Sequence, residues 1–152
     1  MDFDLVDKVV CGGLAAAGFG VLFNVGLRAL PWCVSSGALA LLVRTLGLRG
    51  GWDLEAASLA AALALSSAVQ LVHVRSGISR NALAVAGCIP MIPGSVAAKA
   101  ILGMFALMST APASPESLVS LAQNGLRVAF TIGALGTGLA IPTMLLRIRG
   151  SR

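Results

Sequence analysis

The composition of the chain is that of an integral membrane protein. Of its 152 residues, 57% are hydrophobic and 11% are charged, and the mean hydropathy is +0.92. A soluble domain carries about 25% charged residues, so these residues are too few to cover a water-exposed surface. The length predicts a single transmembrane domain over residues 1–152, with no soluble module.

The net charge of +5 does not indicate nucleic-acid binding. The 11 basic residues are dispersed between apolar runs, as charges that set membrane topology are. Cys11, Cys33 and Cys88 lie within apolar runs, without a C-x-x-C pair and with one histidine in the whole chain. The sequence therefore predicts neither a disulfide framework nor a metal site, and it implies no cofactor.

The first apolar run predicts a retained membrane helix over residues 9–23. It follows an acidic start, M-D-F-D-L-V-D-K, which lacks the positive charge of a secretory signal peptide. Small residues recur along it every four positions and predict close packing of another helix. These residues are Gly12, Ala16 and Gly20. If the helix continues, Asn24 and Arg28 extend the stripe to a membrane surface, either as part of a transport entrance or as a polar helix end.

The second span is predicted over residues 30–48. Pro31 stands at its start, where proline is tolerated, and Gly50 and Gly51 follow its end. Arg44 falls within its last turns. The spacing leaves open whether this arginine reaches outward to the surface or faces the interior of the bundle.

The third span is predicted over residues 55–74, with Asp53 as its N-cap. A stripe of alanines along this span predicts a helix-packing face. The alanines are Ala56, Ala60, Ala64 and Ala68. His73 lies near the end of the span, where a lone histidine is more often a hydrogen-bonded interfacial residue than a proton relay.

The fourth element is an interrupted apolar stretch, residues 82–108, long enough to cross a bilayer. Pro90, Pro93 and Gly94 lie in its middle. Each proline removes a backbone donor and disfavours helical geometry before it, so we do not expect a straight helix. Broken backbone at membrane depth is tolerated where protein buries it or where it lines a watery cavity.

A half-helix that begins near Ser95 would direct unpaired N–H groups and a positive dipole end into such a cavity. Lys99, one turn later, would add a cation. The combination predicts a site for an anion such as a carboxylate, as in transporters with discontinuous helices. The other interpretation is a proline-kinked helix end whose lysine reaches a lipid headgroup.

The last helix follows a polar loop over residues 109–117, with Ser114 as its N-cap. A helix over residues 115–147 would be about 50 Å long, which exceeds the ~30 Å hydrocarbon layer. We therefore expect an interfacial first part around residues 117–126 and a span over residues 128–146. Its predicted packing face consists of Gly133, Gly136 and Gly138.

These elements predict an all-α, polytopic bundle of about five transmembrane helices, the fourth interrupted at a P-x-x-P-G break. An odd number of spans places the termini on opposite sides of the membrane. All 6 acidic residues then fall on the side of the N-terminus, and the other side is purely basic. The positive-inside rule predicts a cytoplasmic C-terminus and an N-terminus outside.

The sequence carries no enzyme motif that we recognise. Walker A, H-E-x-x-H and G-x-G-x-x-G patterns are absent. Ser95 and His73 could form an intramembrane dyad only by chance, because the G-x-S-x-G pattern is absent as well. We therefore expect no enzymatic activity.

Two runs resemble the threonine/serine exporter family. They are G-F-G-V-L-F-N-V-G-L-R-A-L-P-W-C at residues 18–33 and I-P-M-I-P-G-S-V-A-A-K-A-I at residues 89–101. The chain is most similar, over nearly its whole length, to the small, separately encoded subunit of the two-component type. The positions that match family motifs are Asn24, Arg28, Pro90, Pro93 and Gly94. Gly26 departs from the pattern, since relatives often carry proline there.

The resemblance implies proton-driven export of threonine and serine across the bacterial inner membrane, together with a larger membrane subunit in a hetero-oligomer. For the two-component type it also implies export of a dicarboxylate, succinate. In this interpretation Gly94, Ser95 and Lys99 hold the substrate carboxylate, and Asn24 and Arg28 shape the cytoplasmic entrance. The role of Lys99 depends on the physical argument alone, because related chains vary there.

The alternative belongs to a different class: a structural subunit that stabilises the larger partner and never contacts substrate. The P-x-x-P-G break would then be an assembly joint. Lys99 would face lipid headgroups or the partner.

Overall fold

The computed structural model describes residues 3–109 and 115–150, and these form helices joined by short turns, without a strand. The all-α prediction is confirmed. The helices are α1 (Phe3–Leu22), α2 (Leu30–Arg49), α3 (Leu54–Ser76), α4 (Arg80–Cys88), α5 (Gly94–Ser109) and α6 (Pro115–Gly150). Single 3₁₀ turns stand before α2, at Leu27–Ala29, and after α4, at Ile89–Met91.

Within the described residues, α1, α2, α3 and α6 are each long and apolar enough to cross a membrane. The segments Arg80–Met91 and Gly94–Met108 pass the same test only together, and they are bent by 59° at the break between them. The bundle has five spans when the bent pair counts as one. The prediction of about five spans with an interrupted fourth is confirmed.

The first four helices pack together, α6 lies along α3, and α5 packs chiefly against α6. The core between them is small and consists mainly of alanine with a few larger side chains. The largest fully buried hydrophobic ones are Cys33, Leu65, Leu83 and Met91. Met91 belongs to the turn after α4, so the break in the fourth span is anchored in the core.

The predicted seam of small residues on α1 is confirmed as its contact with α2. Gly12, Ala16 and Gly20 are all buried. A Cβ atom added at Gly37 would lie 2.4 Å from the Ala16 Cβ and 2.5 Å from the Gly12 carbonyl oxygen. The two backbones therefore touch here, as small residues at membrane helix interfaces allow.

The stripe would have reached Asn24 only if the helix continued, and α1 ends at Leu22. The backbone of Asn24 is left-handed, with φ 54°. Its N–H donates to the Val21 carbonyl and the N–H of Val25 to the Gly20 carbonyl, each at 2.9 Å. These two bonds are those of a Schellman motif with Asn24 at the C′ position, where asparagine is one of the few residues tolerated.

The predicted packing face of α3 is wrong by one position. Ala56 is exposed, and the next three alanines of the stripe are partly exposed. The buried residues are Ala57, Ser58, Ala61, Ala62, Leu65, Ser66 and Val69. Because α3 packs between α2 and α6 and carries small residues on most of its circumference, periodicity alone does not identify the buried side.

The long last helix begins at Pro115 and runs without interruption for 36 residues, through Pro142. Its predicted N-cap, Ser114, lies outside the described residues. The first part contacts α5, where a Cβ at Gly103 would lie 3.4 Å from Leu121. The remainder runs parallel to α3, as the Arg127–Glu55 contact at 3.8 Å and a later hydrogen bond from Ser66 to the Leu139 carbonyl show.

Only one of the three glycines predicted as a packing face of α6 has that role. A Cβ at Gly138 would lie 2.6 Å from the Ala62 Cβ, whereas Gly133 and Gly136 face open space. Residues 133, 136 and 138 do not share one face at 100° per residue, which explains why the set is not buried together.

Ion pairs group the ends of the helices as the five-span topology requires. Asp4 on α1 lies 3.9 Å from Arg49 at the end of α2, and Glu55 pairs with Arg127. At the end of α3, the His73 ring nitrogen is 2.7 Å from the Ile78 carbonyl oxygen, in agreement with a hydrogen-bonded role. The direction in which the bundle crosses the membrane stays a prediction.

Candidate functional site

The interruption of the fourth span has the local geometry that its prolines require. After the turn at Ile89–Met91, Ile92 is extended, with φ −62° and ψ 129°, and α5 begins two residues later at Gly94. A residue before proline is pushed out of the helical region, so Pro93 fixes this conformation of Ile92. Pro93 is buried and Pro90 is half-buried.

Arg44 supplies the hydrogen bond that the interrupted backbone lacks. Its Nη1 donates to the carbonyl oxygen of Met91 at 2.5 Å. The Met91 side chain is fully buried, and a buried carbonyl needs a donor. The arginine therefore faces the interior of the bundle, which answers the question that its spacing left open. In the sequence, only the position of this charge, five residues inside an apolar span, indicated that the side chain has an internal role.

The start of α5 presents the free backbone donors that the sequence predicted. Gly94 N–H donates to the Ile92 carbonyl at 2.8 Å and Ala97 N–H to the Pro93 carbonyl at 3.0 Å. Within the described residues, the N–H groups between them, at Ser95 and at position 96, have no backbone acceptor. This terminus is suited to an anion.

Gly94, Ser95 and Lys99 are exposed on the outside of this chain. Ser95 and Lys99 stand four residues apart and share a face of α5. In the part of the chain that the structure describes, no ion pair or hydrogen bond engages the Lys99 ammonium group. The chain by itself therefore brings these groups together but does not enclose them.

Asn24 and Arg28 are not brought to the break. Both are exposed and lie in the connection between α1 and α2. Arg44, which contacts Met91 at the break, lies about 21 Å along α2 from the first residue of that helix, Leu30. The neighbouring Gly26 has φ −52°, which proline also adopts, so the family's proline would fit its backbone.

A cavity of about 350 Å³ opens beside Arg44, at the end of the bundle where α1 begins and α2 ends. Lys8 and Arg49 line it together with Asp4. Sequence reasoning missed this cavity, because its charged residues come from two helices whose rotation the sequence leaves undetermined. Among the described residues, no group of three or more His, Cys, Asp or Glu side chains could hold a metal ion.

Comparison with known proteins decides the family. The profile of the family described as "Threonine/Serine exporter, ThrE" matches residues 8–145, which include both motif regions and the break. The chain belongs to the threonine/serine exporter family. The chain is thus a multi-pass membrane protein of a transporter family. No solved structure is significantly similar to it.

Proposed function

We propose that the chain is a subunit of a secondary transporter that moves small carboxylate-bearing metabolites out of the cell across the bacterial inner membrane, in a hetero-oligomer with a larger membrane subunit. Its substrates are threonine and serine or a dicarboxylate such as succinate. The observation that carries the proposal is the break in the fourth span, where α5 begins with free N–H groups at Ser95 and a cation one turn later at Lys99.

A carboxylate would accept hydrogen bonds from the first turn of α5 and pair with the Lys99 ammonium group. Gly94 allows close approach of the substrate, because it has no Cβ and nothing lies within 4 Å of that position. Since these groups are exposed in this chain, the partner subunit would close the site. Asn24 and Arg28, at the opposite end of the bundle, would shape the cytoplasmic entrance.

Proton coupling is assigned to the partner in this proposal. The acidic residues of the described helices lie in the first one or two turns, at the bundle ends: Asp4, Asp7, Glu55 and Glu116. A proton relay within a membrane requires a titratable side chain at depth, usually Asp, Glu or His. The larger subunit would supply it.

The test is efflux from vesicles that carry this chain with and without its larger partner, loaded with labelled threonine and succinate. We expect efflux only when both chains are present. Lys99→Ala should abolish efflux while the complex assembles normally, because it removes the cation at the carboxylate site. Arg75→Ala, an exposed cation at the end of α3, is the matched control and should export normally.

The exposure of Gly94, Ser95 and Lys99 also favours a second candidate function, a structural subunit. A partner helix packed on this surface would explain the small residues at its centre. In that case substitutions at these positions would lower the yield of complex, and the complex that still forms would transport at the normal rate. Yield and efflux per complex, measured on the same preparations, distinguish the two functions.

A further inference from the structure

We infer that the crevice between α4 and α6 is a binding site for an anionic phospholipid, with the lipid phosphate at Arg80 and one acyl chain in the crevice. The site is separate from the break and from the groups proposed to hold a carboxylate there. The inference therefore goes beyond the proposed function and does not depend on it.

The crevice is a cavity of about 300 Å³, with α4 and α6 as its walls and α3 as its floor. Its lining differs along its length. Arg80, Asn81 and Thr143 lie at the end of the bundle where α4 begins, and Val85 and Gly136 lie deeper in the spans. Gly136 and Thr143 are separated by about 10 Å along α6. The crevice therefore runs from one end of the bundle into the apolar part of the spans.

The interior of the crevice is suited to an apolar group. The Ser66 hydroxyl on its floor donates to the Leu139 carbonyl at 3.0 Å, and the Thr143 hydroxyl donates to the Ala140 carbonyl at 2.7 Å. A Cβ atom added at Gly136 would have nothing within 4 Å, so this wall leaves space open. Because both hydroxyl donors are already used, a polar ligand placed deep in the crevice would lose its hydrogen bonds to water without replacing them.

The mouth of the crevice is suited to an anion. Among the lining residues that the structure describes, Arg80 alone carries a charge, and it is half-buried. Its guanidinium has five N–H donors, and the described part of the chain engages it once, from Nη1 to Gln70 Oε1 at 3.4 Å. A bond of this length is weak. Arginine binds a phosphate through two N–H groups of its planar fork, and the exposed Asn81 amide lies beside it.

In the described part of the chain, no carboxylate competes for Arg80. The acidic residues there lie at the opposite end of the bundle, near the starts of α1, α3 and α6. The ion pairs between described residues belong to that end as well, and none includes Arg80. A zwitterionic headgroup would bring a second cation to this arginine, whereas an anionic headgroup brings none. The charge therefore favours an anionic lipid.

A lipid matches both parts of the crevice, whereas other occupants match one part or neither. A small polar metabolite would leave the apolar interior unfilled. A volume of about 300 Å³ over about 10 Å of length gives a cross-section of about 30 Å², whereas a helix about 10 Å in diameter needs about 80 Å². A single acyl chain is thinner and can enter. Basic pockets between membrane helices bind anionic headgroups in this manner.

The first experiment titrates the delipidated full-length chain with phosphatidylglycerol or phosphatidylcholine and resolves the bound lipids by native mass spectrometry. We expect the first phosphatidylglycerol to bind about fivefold more tightly than the first phosphatidylcholine. Arg80→Gln should weaken phosphatidylglycerol binding by about tenfold and remove the preference, because charge-assisted hydrogen bonds are lost. Arg75→Gln, an exposed cation at the end of α3 and outside the lining, should change it by less than about twofold. No preference in the wild-type chain, or an equal loss in Arg75→Gln, would overturn the inference.

The second experiment places a side chain in the crevice. Gly136→Leu should weaken phosphatidylglycerol binding by about tenfold, since it takes the space of about two methylene groups of the acyl chain. Gly133→Leu is the matched control, because it also stands in open space on α6 but outside the lining, and it should bind normally. If Gly136→Leu aggregates, the smaller Gly136→Val decides, with an expected loss of about threefold. Normal affinity in a monodisperse Gly136 variant would place the acyl chain elsewhere and refute the site.

A soluble phosphate can use the donors at Arg80 without an acyl chain. Glycerol 3-phosphate in large excess should therefore fail to displace the bound phosphatidylglycerol. Displacement would mean that the mouth binds a soluble anion and that the crevice contributes nothing, which contradicts a lipid site.

A phosphatidylglycerol with a diazirine in one acyl chain locates the bound lipid. After illumination of the purified chain, we expect labelled peptides from α4 and α6, around Val85 and Gly136, and the label there should be lost in Arg80→Gln. Labelling confined to other helices would contradict the site.

The same photoreactive lipid, introduced into membranes of the cells that make the chain, tests whether a protein covers the crevice instead. Label retained around Val85 and Gly136 supports the inference. Label that appears there in the purified chain but not in those membranes would show that a partner subunit occupies the crevice, and the inference would be wrong.

Discussion

Asn24 is both a position of the family motif and the residue at which α1 ends. Its φ of 54° and the two hydrogen bonds of the Schellman motif give asparagine a conformational role in this connection. A left-handed backbone costs most residues about 1–2 kcal/mol, which asparagine partly avoids. The family motif at this position can therefore be explained by the turn, by transport, or by both.

Two substitutions at Asn24 separate these roles. Asn24→Val should lower the free energy of unfolding by about 1 kcal/mol, because a β-branched residue is disfavoured in the left-handed region. Asn24→Gly should keep the stability, since glycine adopts this backbone freely. Thermal unfolding in detergent measures both. If Asn24→Gly is stable yet exports poorly, the side chain acts in transport; normal export by this variant would remove Asn24 from the site.

The sequence predicts the break in the fourth span but not the residue that supports it, Arg44. Pro90, Pro93 and Gly94 act through their own backbone, so their effect can be predicted from the local sequence. The contact of Arg44 with Met91 spans 47 positions and depends on how α2 is rotated against α4. Nothing in the spacing of one charged residue determines that rotation.

The helices differ in how closely they are joined. α1 and α2 touch through their backbones at Gly12 and Gly37, whereas α5 has its main contact with α6 alone. The small residues of α1 were predictable because they form a single stripe. Those of α3 were not, because small residues surround that helix and two partners bury different parts of it.

The closeness of the α1–α2 seam can be tested with a pair of glycines. Gly37→Ala should destabilise the protein by about 1–3 kcal/mol, since its Cβ would lie 2.5 Å from a backbone oxygen. Gly133→Ala, in open space on α6, should be neutral or raise stability by about 0.5–1 kcal/mol. The midpoint of thermal unfolding checks both. Equal effects of the two substitutions on the unfolding midpoint would mean that α1 and α2 do not approach each other closely at Gly37.

For the whole molecule, the distribution of charge divides the bundle into two ends. Asp4, Arg49, Glu55 and Arg127 meet at one end, and Arg80 lies at the other, where it approaches Gln70. The sequence predicted this separation because five spans alternate the connections between two sides. It also predicts the orientation, by the excess of arginine on the side of the C-terminus.

Cysteine labelling in intact cells tests that orientation. In a background without native cysteines, Trp52→Cys lies between α2 and α3 and Ser79→Cys between α3 and α4; both positions are exposed. An N-terminus outside means that a membrane-impermeant maleimide labels Trp52→Cys from outside and reaches Ser79→Cys only after permeabilisation. The reverse pattern would invert the topology and place Asn24 and Arg28 on the outer side.

The unbroken course of α6 has a mechanical consequence. The first third of this helix belongs with α5 and the rest with α3, and Gly125 stands between the two parts with nothing within 4 Å of a Cβ there. Because one helix contacts both α5 and α3, a movement of α5 relative to α3 requires α6 to bend, and an interior glycine between the two contacts is a position where bending costs little. A change in the angle at Pro93 that moves α5 against α3 would therefore require α6 to bend near Gly125, at an exposed position outside the buried core.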